Sequence, residues 1–90
     1  MLVKLVYKDI KDKEYFENII LSNTVFIEYI DINTLKGKKE GWKLMNYYGT
    51  STFPFIELEK DNTKIPFYSE NGNAINQLIN YDRNIIQETE

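Results

Sequence analysis

Tyr48-Gly49-Thr50-Ser51-Thr52-Phe53-Pro54-Phe55-Ile56-Glu57-Leu58 reads as the end of a helix, a short loop, a proline and then a strand. Gly49 tolerates the left-handed backbone that commonly closes a helix. Trp42, Leu44, Met45 and Tyr48 recur before it at helical spacing. After Pro54, Phe55 to Glu59 alternates with the period of a strand. Asp61-Asn62 then turns the chain tightly into Lys64-Ile65-Pro66-Phe67-Tyr68, which completes a hairpin. Pro66 has no amide to donate, so this second strand belongs at a sheet edge or turns that position outward.

Towards the N-terminus, Leu2 to Tyr7 is β-rich and mostly apolar, the pattern of a buried strand. Asp12 is a candidate cap for the helix that follows. Tyr15, Phe16, Ile19 and Ile20 would give that helix its apolar face, and Ser22-Asn23 would end it. Thr24 to Ile32 is a second strand, with Phe26 pointing inward, and Asn33 to Gly37 is a turn-rich link. Towards the C-terminus, Asn71 or Asn73 starts a last helix. Ile75, Leu78, Ile79, Ile85 and Ile86 form its inward stripe, and the final residues are expected to fray. The order is β-α-β-α-β-β-α. The first two strands imply a right-handed parallel crossover and the hairpin implies antiparallel pairing. The expected fold class is α/β: a single domain over residues 1–90, with a four-stranded mixed sheet and helices on both faces.

Composition narrows the chemistry. Ninety residues form one domain that buries roughly 60–65% of its unfolded surface. The net charge is −3, and the densest basic run, Lys36, Lys38 and Lys39, is followed directly by Glu40. Phosphate neutralisation, and with it nucleic-acid binding, is not expected. No window approaches the roughly 20 apolar residues of a membrane span. The N-terminus leads directly into a strand pattern, so a cytoplasmic location is expected, or a virion-associated one if the chain is phage-encoded. There is no cysteine and no histidine. Disulfides and thiol chemistry are thereby excluded, and the commonest general base and metal ligand is missing.

Over nearly its whole length the chain resembles a glutaredoxin, the minimal thioredoxin-like fold. Three stretches carry the resemblance. Glu28 to Asn33 is similar to the family's second strand. Trp42 to Pro54 is similar to the helix that leads through a Tyr-Gly pair to the family's cis-proline. Glu70 to Leu78 is similar to its Gly-rich turn and last helix. The resemblance implies that the Phe53–Pro54 bond is cis. It places the family's redox centre, Cys-x-x-Cys or Cys-x-x-Ser, near Ile10-Lys11-Asp12-Lys13. Ile10 has no thiolate with which to attack a disulfide, so the expected protein is redox-inactive and not an enzyme. In the family, backbone groups beside the proline and the start of the last helix hold glutathione. Phe53, Pro54, Gly72 and Asn73 stand at those places. Phe53 is bulkier than the usual valine, Asn73 falls where an acidic residue is common, and no thiol anchors the tripeptide. Glutathione and other cofactors are therefore not expected.

Other chemistry finds little footing. Glu57 and Glu59 alternate on one strand face and read as a solvated surface or ion pairs with Lys60 and Lys64. Asp61-Asn62-Thr63 does not continue into a calcium loop. The 13 aromatic residues exceed what one small core can bury. Phe16, Phe26, Trp42 and one of Phe53 or Phe55 are assigned inward. Some of Tyr47, Tyr48, Phe53, Tyr68 and Tyr81 then remain exposed near the Pro54 loop, where aromatics suit a protein interface. The expected function is a module that docks a protein partner, or a second copy of itself, as an accessory, scaffold or phage-type component. The contact residues would be Ile10, Lys11, Tyr48, Phe53, Pro54 and Asn73. The alternative is a protein that binds a small ligand or a thiol compound in a remodelled cleft beside the proline.

Overall fold

The computed structural model describes residues 1–21 and 25–89. In chain order the elements are β1 (Leu2–Tyr7), α1 (Ile10–Glu17), β2 (Phe26–Asp31), α2 (Leu35–Tyr48), β3 (Phe55–Lys60), β4 (Thr63–Phe67), a short 3-10 turn (Ser69–Asn71) and α3 (Ala74–Thr89). The sheet order is β2-β1-β3-β4. β1 pairs parallel with β2 and antiparallel with β3, and β3 pairs antiparallel with β4. This is a small thioredoxin-like α/β fold, as the element order implies.

Strand parity separates two cores. Val3, Leu5 and Tyr7 of β1, with Ile56, Leu58 and Phe67, face α1 and α3, where Phe16, Ile75 and Leu78 cover them. Val6, Ile30 and Phe55 face the other way and meet Met45 of α2. The hairpin turn falls where Asp61-Asn62 places it. Both residues have positive φ, 51° and 66°, the geometry whose twist matches antiparallel strands. Gly49 closes α2 at φ 69°. Pro66 lies on β4, an edge strand, where its missing amide costs no ladder bond.

Several expectations are corrected. Asp9, not Asp12, caps α1: it has extended backbone and its side chain accepts the Lys11 amide at 3.0 Å. α1 therefore begins earlier, and it also stops earlier, at Glu17. Asn18 folds its side-chain amide back to donate to the Glu14 carbonyl at 2.8 Å. Ile19 and Ile20 consequently lie beyond the helix, and Ile20 is exposed. Ser22, Asn23 and Thr24, and the side chains of Ile85 and Ile86, lie outside the described residues.

Gly37 belongs to α2 and not to a link, because Thr34 caps the helix by accepting the Gly37 amide at 2.9 Å. β2 spans Phe26–Asp31 within the longer run expected, and Phe26 is 73% exposed. It opens an edge strand on the α2 side of the sheet, and α2 reaches only as far as Ile30. Trp42 is half-buried at the margin of that core.

Glu57 is not solvated. It is 3% exposed, and Tyr48 Oη donates to its Oε2 at 2.6 Å. Burial, and then the bond to Glu57, push the Tyr48 phenol well above the ordinary 10.0. A raised native pKa gives stability that is complete below pH 10 and is lost above it, because the unfolded chain ionises first. Tyr48→Phe is expected to cost about 1.5–3 kcal/mol at neutral pH, since it strips a buried carboxylate of a donor. Its stability then falls less steeply above pH 10 than that of the parent protein. Urea unfolding at several alkaline pH values reads both effects, and an unchanged alkaline slope would contradict the assignment.

Candidate functional site

β1 and β2 run parallel, so their C-terminal ends open on the same side of the sheet, with Tyr7 in register with Asp31. Two tight turns are built there. After β1, Asp9 caps α1, and the Asp12 amide donates to the Asp9 carbonyl at 3.0 Å. After β2, Asp31 Oδ1 accepts the Asn33 amide at 2.9 Å. Thr34 Oγ1 donates to the Asp31 carbonyl at 2.9 Å. Asn33 Nδ2 staples the turns together by donating to the Lys8 carbonyl at 2.8 Å. Short polar side chains thus satisfy the main chain at both helix starts.

The third wall is the loop before β3. The Phe53–Pro54 bond is cis, as the resemblance implies. Pro54 is buried, and its carbonyl accepts the Ser69 hydroxyl, which also accepts the Ala74 amide at 3.1 Å. The loop is therefore tied to the start of α3. The Phe53 ring meets Trp42 edge-on, with ring centroids 5.6 Å apart. Among the described residues, neither the amide nor the carbonyl of Phe53 makes a hydrogen bond.

These walls border an open cleft of about 650 Å³. Ile10, 52% exposed, and Phe53 supply its apolar surface. Asp9, Asp12 and Asp31 bring three carboxylates against the single ammonium of Lys8. Burial and the neighbouring Asp9 hold the Asp12 carboxyl above its ordinary range. Burial, then the charge and hydrogen bond of Asp31, push the Tyr7 phenol up. The cleft thus carries excess negative potential that a cationic group would relieve. The three acids do not converge, and among the described residues no such group could hold a metal ion. No described helix is long and apolar enough to cross a membrane.

Of the six contact residues named from the sequence, the structure brings Ile10 and Phe53 into this cleft, with Pro54 behind them. Lys11 is exposed, and its amide serves the cap of α1. Asn73 caps α3, its Oδ1 accepting the Ile75 amide at 2.8 Å. Tyr48 lies outside this cleft, on the α2 side of the sheet against Phe55 and Glu57. Sequence reasoning missed Tyr7, Asp31 and Asn33 as cleft residues. The available signal was Asp31-Ile32-Asn33-Thr34, an Asx turn running into a helix cap. No protein-family model, curated protein or solved structure matches this chain.

Proposed function

We propose that the chain is a glutaredoxin-like module without redox activity that docks a protein partner. The partner is held as an extended segment across the Ile10–Phe53 cleft. The observation that carries this reading is the unpartnered main chain of Phe53 beside an open apolar and acidic surface. An extended peptide pairs with free backbone groups of this kind, while its side chains enter the flanking surface. Ile10 and Phe53 favour an aliphatic or aromatic residue, and Asp9, Asp12 and Asp31 favour a lysine or arginine beside it. With Ile10 at the position of the family's thiol, the cleft binds without reacting.

Selection from a random peptide library against the whole protein tests this. Recovered sequences are expected to pair a basic residue with an apolar neighbour. Phe53→Ala and Ile10→Ser, each folded, should weaken them at least about tenfold, a loss of roughly 1.4 kcal/mol. Lys64→Ala, far from the cleft, should leave them unchanged. Failure to enrich any such pattern, or binding indifferent to both cleft variants, would remove this surface from consideration.

A further inference from the structure

The α2 side of the sheet is covered unevenly. α2 packs over Val6, Ile30 and Phe55. The next row across the sheet stays open, with Glu28, Lys4 and Glu57 side by side on β2, β1 and β3. α2 forms the facing wall through Leu44 and Tyr47, and exposed Lys43 and Lys64 stand at the rim. The cleft so formed measures about 700 Å³. That lies within the roughly 300–1,000 Å³ of small-molecule sites. It shares no lining residue with the Ile10–Phe53 cleft.

Its charges are balanced but unpaired. Three ammonium groups, on Lys4, Lys43 and Lys64, face three carboxylates, on Glu28, Glu40 and Glu57. Among the described residues the only ion pair within 4.0 Å is Lys13–Glu17, away from this cleft. Lys4 sits between Glu28 and Glu57 in register and bonds to neither. Glu57 is the buried floor charge, 3% exposed. Tyr48 occupies its Oε2, and among the described residues no hydrogen bond reaches Oε1. No fully buried side-chain oxygen there lacks a partner, so Oε1 is open to the cleft. A ligand of one charge would meet attraction from one set of groups and repulsion from the other. A dipolar ligand satisfies both sets, and Leu44 with the 81% exposed Tyr47 offers apolar cover for the rest of it.

We propose that this cleft binds a small zwitterion, an α-amino acid with an apolar side chain. Its ammonium donates to Glu57 Oε1, its carboxylate faces Lys4 and the rim lysines, and its side chain lies over Leu44 and Tyr47. The inference is independent of peptide docking at Phe53.

Amide-resolved NMR titration of the whole chain with L-phenylalanine tests it. Saturable shifts are expected at Lys4, Leu44 and Glu57 in the millimolar range. Phenethylamine, which lacks the carboxylate, and N-acetyl-L-phenylalanine, which lacks the ammonium, should each bind at least about tenfold more weakly. Glu57→Gln keeps an acceptor for Tyr48 and should lose binding by a similar factor. Lys43→Ala, on the exposed rim, should weaken binding several-fold without touching the core. It decides the matter if Glu57→Gln does not fold. The proposal is overturned by an absence of saturable shifts, by equal binding of the three compounds, by shifts confined to Ile10 and Phe53, or by unchanged affinity in the folded variants.

Discussion

Gly37→Ala is expected to destabilise the protein by about 2–4 kcal/mol, although alanine is the better helix former. Helix propensity alone favours the change by about 1 kcal/mol. The local geometry opposes it more strongly. A β-carbon on Gly37 would lie 1.8 Å from the Asp31 carbonyl oxygen and 2.7 Å from Thr34 Oγ1. Neither neighbour yields cheaply. The Asp31 carbonyl accepts both the amide and the hydroxyl of Thr34, and Thr34 Oγ1 accepts the Gly37 amide. Relief requires the first turn of α2 to move off β2, which takes Asp31 out of place in the cleft. Overpacking of this kind costs about 1–3 kcal/mol, and more where backbone must shift. Gly41→Ala is the internal control. Its β-carbon would meet the terminal Ile32 Cδ1 at 2.7 Å. A flexible methyl can turn aside, so the loss should be smaller. Chemical denaturation of both variants settles the order. A Gly37→Ala protein as stable as the parent would refute the close contact.

That contact shows where sequence reasoning stops. The hairpin at Asp61-Asn62, the helix stop at Gly49 and the edge position of Pro66 were legible because each depends on a residue's own backbone preferences. Strand alternation likewise separated Leu58 from its neighbours. The cap of α1 was misplaced by three residues because Asp9 and Asp12 are both competent acids. Only the point where β1 ends decides between them. Phe26 looked like core because β-propensity records the residue type and not how far α2 reaches. Glu57 looked solvated because its burial depends on a phenol nine residues earlier in the chain. Of the cleft, Ile10 and Phe53 were reachable through the resemblance to a known fold. Tyr7 and Asp31 become neighbours through the parallel register of β1 and β2, which no local pattern encodes.

Phe55→Ala is expected to cost about 3–5 kcal/mol, the usual loss for a fully buried phenylalanine. Phe55 has no exposed surface and closes the core of Val6, Ile30, Ile32 and Met45. Its ring lies 5.5 Å from Tyr48 and 5.8 Å from Tyr68, so removing it also loosens the phenol that serves Glu57. A domain of this length holds about 5–13 kcal/mol in total, so the variant should lose at least about a quarter of its stability and, at the low end of that range, nearly all of it. Phe53→Ala, on the other side of the same proline, should behave differently. Phe53 is half-buried and touches Trp42 edge-on, an aromatic pair worth about 0.5–1.5 kcal/mol. Calorimetry of the two variants should therefore show a large fall in Tm for Phe55→Ala and a small one for Phe53→Ala. Equal losses would mean that Phe53 is a core residue, and reduced docking in its variant would then report unfolding. Unequal losses leave Phe53 free to be judged as a contact, because the fold survives its removal.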